Sequence, residues 1–182
     1  MREDMRDILL DRAEIARRVK ELGRQITEDY RGETPLLVCI LKGSVVFFAD
    51  LIRAIDLPVQ LEFMTASSYG SATVSSGEVK IKSDLDEKIF GRHVILVEDI
   101  IDSGRTIAYI RADMLKKGVK SLRVCSLLDK PDRRVSEVAA DYVGFTIPDE
   151  FVVGYGLDFD QMYRNFPDIG VLKPEKYEKT AD

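Results

Sequence analysis

The chain has 182 residues, 45% of them hydrophobic and 32% charged, which suits one globular domain with its own core and excludes a disordered or fibrous chain. Its formal net charge is −5 with no basic block, so a nucleic-acid partner is not expected. An acidic balance leaves anionic substrates open, because backbone amides and a divalent metal can hold phosphates locally.

Met1-Arg2-Glu3-Asp4 is mixed in charge with no apolar stretch behind it, and no secretory signal is expected. Asp11 to Tyr30 carries Ile15, Val19, Leu22 and Ile26 at helical spacing, with Asp11 as N-cap and Glu14 three residues on. Pro35 opens a short apolar strand, Leu36 to Leu41, which is the longest apolar run and far too short to cross a bilayer. Gly43-Ser44 then starts a helix whose inner face is Phe48, Leu51, Ile52 and Ile55. Val59 to Ala66 reads as another strand. Ser67 to Gly77 is small, polar and unable to pack, which predicts a mobile loop. Val79 to Lys82 alternates and is expected to pair back as an edge strand.

His93 to Val97 is a continuous apolar strand, followed at once by Glu98-Asp99-Ile100-Ile101-Asp102-Ser103-Gly104-Arg105-Thr106. A helix from about Ile107 to Lys117 follows, ended by Gly118, and Leu122 to Leu128 is the next buried strand. Cys39 and Cys125 lie inside apolar runs and read as buried free thiols in a reducing cytoplasm. Strand and helix patterns alternate, so parallel strands joined by crossover helices are expected. From Pro131 the pattern breaks into short pieces that read as a small cap. The fold class is α/β: an open, mainly parallel sheet flanked by helices. One domain spans 1–182, and a hood is built largely from its C-terminal part, about 131–182.

In open α/β sheets ligands bind beyond the carboxyl ends of the strands. The loop from Asp102 to Thr106, with Gly104, enters a helix N-terminus there. Such a loop aims backbone amides at one point, where the helix dipole favours an anion, and Ser103 and Thr106 add hydroxyl donors. A phosphate is the natural occupant. Glu98 and Asp99 could accept hydrogen bonds from a ribose diol and help hold magnesium through oxygens. Consecutive strand side chains point to opposite faces, so the pair shares a ligand only if the strand ends there. For D-S-G-R-T taken alone, the plainer reading is that Asp102 or Ser103 caps the helix and Glu98-Asp99 is a solvated loop.

The stretch V-I-L-V-E-D-I-I-D-S-G-R-T, Val94 to Thr106, resembles the phosphoribosyl-pyrophosphate-binding motif of type I phosphoribosyltransferases, and Asp102 resembles the hypoxanthine-guanine branch. The resemblance runs from roughly Leu36 to Arg164. It implies phosphoribosyl binding by Glu98, Asp99, Asp102, Ser103, Gly104, Arg105 and Thr106, with Asp102 as the catalytic base. Leu41-Lys42-Gly43 resembles the family's pyrophosphate loop, with a bond before the lysine that tends to be cis, and Arg164 its pyrophosphate-binding arginine. Ser68-Tyr69 resembles the lid, about 67–78. Lys130 matches the lysine that reads the purine 6-oxo group, Phe151 the ring that stacks on the base, and Val152 the backbone at the base edge. Asp158 is implied as a holder of a second Mg2+, beside Glu98 and Asp99 for the first.

The resemblance further implies phosphoribosyl pyrophosphate and hypoxanthine or guanine as substrates, IMP or GMP as products, and a cytoplasmic homodimer or homotetramer without nucleic-acid or membrane partners. Its rivals are a xanthine-plus-guanine enzyme and a regulatory protein that keeps the fold to sense nucleotides. Arg105 stands where many relatives carry lysine, and its backbone amide matters more than its side chain. His93 begins its strand at the end far from the ligand edge and reads as structural. Pro131-Asp132-Arg133-Arg134 reads as a polar turn without chemistry.

Overall fold

A computed structural model describes residues 1–68, 79–82 and 85–177. In chain order the strands and helices are β1 (Met5–Leu10), α1 (Arg12–Asp29), β2 (Leu36–Leu41), α2 (Val45–Ala54), β3 (Gln60–Ser68), β4 (Val79–Lys82), α3 (Asp86–Ile89), β5 (His93–Ile101), α4 (Arg105–Lys116), β6 (Ser121–Asp129), β7 (Tyr142–Thr146), β8 (Val152–Val153) and β9 (Ile169–Leu172). The main sheet has the order β4-β3-β2-β5-β6-β7. Its five strands from β3 to β7 run parallel, and β4 folds back antiparallel on β3 as the edge.

Both faces of this sheet are covered, which is why its central strands are apolar throughout rather than alternating. Leu37, Cys39, Ile95, Val97, Cys125 and Leu127 point to the side of α1 and α2 and pack with Ile15, Val19, Leu22, Phe47 and Leu51. Leu36, Val38, Ile40, Val94, Leu96 and Val124 point to the other side, against Ile89, Ile107, Ile110 and Met114. Each large side chain fully removed from water contributes about 1.5–3 kcal/mol, so these two layers hold the sheet. Phe47, wholly buried, belongs to the inner face of α2, which the pattern had centred on Phe48 and Leu51. Asp11 caps α1 as expected, accepting from the amides of Ala13 and Glu14. Both cysteines are free and buried, and burial pushes the Cys39 thiol up to about 11.

A second sheet, β1-β9-β8, is antiparallel and forms the hood. It differs from the expected cap in two ways. Met5–Leu10, left unassigned by the sequence pattern, supplies one of its strands, while Tyr142–Thr146 leaves the cap region and joins the main sheet beside β6. Among the described residues no helix is long and apolar enough to cross a membrane.

The chain changes direction between β2 and β5. From β2 the sheet builds outward through α2 to β3, and from β5 the other way through α4 to β6. Beyond the carboxyl ends of two such strands the connecting helices diverge and leave a crevice. Strand β5 is longer than expected: it continues through Glu98 and Asp99 to Ile101 instead of ending at Val97. Its pairing with β2 reaches only Cys39↔Val97, whereas its pairing with β6 continues to Ile101↔Asp129. The two acids therefore stand on an ordered strand where it has parted from β2, at the mouth of the crevice.

Candidate active site

The first wall of the crevice is the turn from β5 into α4. Helix α4 begins at Arg105, two positions before the expected Ile107, so the amides of Arg105 and Thr106 belong to its first turn. Gly104 is the N-cap, with φ +80°, a left-handed conformation that side chains rarely adopt, and the Arg134 side chain and Val138 press on its α-carbon. Gly104 has no side chain to cap the helix, and the first amide, that of Arg105, donates to the Ser103 hydroxyl at 3.4 Å. Asp102 is therefore not the N-cap. Glu98, Ile100, Ile101, Asp102, Ser103, Gly104, Thr106 and Ile107 line a cavity of about 200 Å³ in front of the turn. First-turn amides and the helix dipole at its floor suit it to a phosphate group.

Asp102 stands at the mouth of this cavity. Its Oδ1 is buried and accepts no hydrogen bond, although the Arg133 Nε lies 3.2 Å away. That contact is ionic without an N–H aimed along a lone pair.

Glu98 and Asp99 form the second wall. Neighbours on a strand normally diverge, yet here the two carboxyl groups are close enough to bear on each other's ionisation. Burial pushes Glu98 well above the ordinary carboxylate range, and the Asp99 charge beside it pushes the same way. Burial also raises Asp99, offset by the Ile100 amide, which donates to its Oδ1, and by the Glu98 carboxyl beside it. The Glu98 Oε2 is buried without a partner. A buried carboxyl oxygen without a partner, with a second carboxyl beside it, fits a cation or a diol.

Beyond the end of β2, the Leu41-Lys42 peptide bond is cis, as the resemblance implied. Gly43 lies against the Asp99 carboxylate on one side, and its carbonyl lies against the α-carbon of Gly156 on the other. Gly156 in turn accepts from Arg164 Nη1 at 2.8 Å. Arg164 also pairs with Asp158 at 2.7 Å, while Gln161 accepts from Lys42 and Arg164. Lys42, Gly43, Asp158 and Arg164 therefore meet on one side of the crevice. Gln161, which joins them, carried no sequence signal. Among the described residues no group of three acids, histidines or cysteines is close enough to hold a metal ion by itself. Magnesium commonly takes one or two carboxylates and completes its shell with substrate oxygens and water, so the Glu98-Asp99 pair suffices. Asp158 is engaged by Arg164 and by the Gln161 amide.

The purine-side residues come from β6 and the hood. Lys130 is 7% exposed, far from the solvated surface lysine that its type alone suggests. Its Nζ donates to the Glu150 carbonyl at 2.6 Å, immediately before Phe151. Phe151 keeps 39% of its surface exposed. Tyr177 stacks on it with centroids 4.7 Å apart, and Phe159 meets it edge-on. Val152 is buried in β8 beside it.

Arg134, set aside as part of a plain turn, braces the phosphate loop: it pairs with Asp129 and donates to the carbonyls of Asp102 and Val138. His93 is at the opposite end of β5, bonded to Ser121 and packed edge-on to Tyr30. Ser68 ends β3, while Tyr69 and most of the expected lid lie outside the described residues.

The family model of the phosphoribosyl transferase domain matches residues 5–160. A hypoxanthine-guanine phosphoribosyltransferase of Streptococcus thermophilus (strain CNRZ 1066) is 52% identical over 180 residues, covering 98% of this chain and 99% of that one. Its counterpart in Bacillus subtilis (strain 168) is 49% identical over 178 residues, covering 98% and 99%. The crystal structure of a hypoxanthine phosphoribosyltransferase from Staphylococcus aureus superimposes with a TM-score of 0.94 at 47% identity, covering 98% of this chain and 97% of that one.

Proposed function

Because the chain belongs to the phosphoribosyl transferase family and carries its type I fold, we propose that it transfers the 5-phosphoribosyl group from phosphoribosyl pyrophosphate to hypoxanthine or guanine, giving IMP or GMP and pyrophosphate. The observation that carries this reading is Asp102, a carboxylate beside the phosphate cavity with one buried oxygen that accepts no hydrogen bond.

The amides and hydroxyls of Ser103, Gly104, Arg105 and Thr106 hold the 5-phosphate. Glu98 and Asp99 accept from the ribose hydroxyls and would hold magnesium. Lys42, the Gly43 backbone and Arg164 hold the pyrophosphate. Asp158 would help to hold a second magnesium. Bound magnesium supplies neutralisation of the charge that leaves with pyrophosphate. The purine lies on the face of Phe151 that Tyr177 does not cover, with its edge at the Val152 backbone. Lys130 donates to the 6-oxo group, and an ammonium, which only donates, disfavours the 6-amino group of adenine. Purine N9 attacks the anomeric carbon as its bond to pyrophosphate breaks, the leaving oxygen taking the electron pair. Asp102 takes the proton from N7. Ser68 and Tyr69 belong to a lid that excludes water, which would otherwise hydrolyse the sugar. We place the enzyme in the cytoplasm as a homodimer or homotetramer.

Incubation with magnesium, phosphoribosyl pyrophosphate and each of hypoxanthine, guanine, xanthine and adenine tests the proposal. Turnover with hypoxanthine or guanine is expected, with little from adenine. Adenine or xanthine as the best substrate overturns the base assignment.

A further inference from the structure

The turn Pro131–Arg133 follows the Lys130 reader directly, and no step of the proposed reaction uses it. Its last residue spans the two halves of the site. Arg133 Nε lies 3.2 Å from Asp102 Oδ1, and Nη1 lies 3.5 Å from Asp149 Oδ1. Asp149 in turn lies 3.7 Å from Lys130 Nζ. Charges alternate along this row, from the phosphate loop to the purine pocket.

We propose that Arg133 is a positioning residue for Asp102, holding its carboxylate toward the purine while Asp149 holds the far end of the guanidinium. The inference rests on Asp102 being the base. Arg133 is well placed for the task because its backbone is tethered on both sides. Lys130 donates its amide to Ile101, and Arg134 is locked by Asp129 and by the carbonyls of Asp102 and Val138. A planar guanidinium can face two carboxylates at once, which a point-charge ammonium cannot. The contact with Oδ1 is not a hydrogen bond, so attraction sets the carboxylate's direction and leaves a lone pair open for the N7 proton. A purely structural role is a poor account of the pair. The Arg133 and Asp102 side chains are 53% and 44% exposed, and ion pairs so exposed add little to fold stability.

A double-mutant cycle on kcat and KM tests this, with thermal unfolding as the folding control. An exposed ion pair biases a side-chain orientation by up to about five-fold, so Arg133→Ala is expected to lower kcat about three- to five-fold. KM for phosphoribosyl pyrophosphate stays within about two-fold, since Asp102 is the one group of the phosphoribosyl site that Arg133 reaches and the phosphate-loop amides remain in place. Arg133→Lys recovers part of the loss. In the Asp102→Asn background Arg133→Ala costs nothing further, because the group it positions no longer accepts a proton. Parental kcat in Arg133→Ala, or an equal loss in both backgrounds, overturns the positioning role alone. Parental turnover by Asp102→Asn overturns the assignment of Asp102 as base, and the role of Arg133 with it.

Discussion

The α-carbon of Gly43 lies directly under the carboxylate of Asp99: a β-carbon there would stand 1.6 Å from Oδ2. The end of β2 and the acids of β5 are thereby fitted to each other, and the glycine leaves room for the carboxylate. Gly43→Ala pushes Asp99 out of its place with little effect on either core, since neither core layer includes Gly43. Phosphoribosyl pyrophosphate affinity is expected to fall at least about ten-fold, the cost of one misplaced charged hydrogen-bond acceptor. Calorimetric titration measures it, and parental affinity would separate Asp99 from ribose binding.

Glu98 makes the stability of the unliganded protein depend on pH. Its ordinary value of 4.5 is raised in the fold, so between 4.5 and the raised value the native state holds a proton that the unfolded chain has released. The resulting contribution is complete below 4.5 and is lost as pH rises through the folded value. Glu98→Gln keeps the neutral shape without titrating. Its advantage over the parent in thermal unfolding therefore grows as pH rises from 4.5 through the raised folded value. Parallel curves for the two proteins would mean that Glu98 is ionised in the native state.

Lys130→Gln replaces a group that only donates with one that both donates and accepts. The ratio of kcat/KM for hypoxanthine to that for adenine should drop about ten-fold or more. The buried ammonium now held by the Glu150 carbonyl is the reason, since it can turn to the 6-position only as a donor. An unchanged ratio would assign Lys130 to holding the hood alone.

Tyr177 backs the ring that is proposed to stack on the purine. Stacked aromatic pairs contribute about 0.5–1.5 kcal/mol beyond their area, so Tyr177→Ala should raise KM for the purine about two- to ten-fold. Tyr177→Phe keeps the stack and should behave as the parent. Steady-state kinetics with phosphoribosyl pyrophosphate at saturation distinguishes them. A rise in KM for both variants would point to the hydroxyl and away from the ring.

Much of the site was legible because its signals are local. Asp11 caps α1 through amides two and three residues away, and the apolar runs at Leu36 and Val94 suffice to mark central parallel strands. The stretch from Val94 to Thr106 contains its own strand, acids, glycine and helix start, and its likeness to a family motif needs no distant partner. Individual residues such as Lys130, Phe151 and Arg164 were named only through that likeness, since nothing nearby distinguishes them from surface or core positions.

Contacts between distant segments decided the rest. Met5–Leu10 is a strand because Ile169–Leu172 pairs with it, and no local pattern contains that partner. Glu98 and Asp99 look like a loop in sequence, yet they extend β5, since β6 still supplies its ladder after β2 has departed. The same departure leaves the two carboxyls buried side by side, and burial raises both above the ordinary carboxylate range. Arg133 and Arg134 read as a solvated turn until the fold brings Asp102 and the phosphate loop against them. Hydrophobic periodicity is written in the chain itself, whereas the partner of a charge depends on which loops the packed sheet makes neighbours.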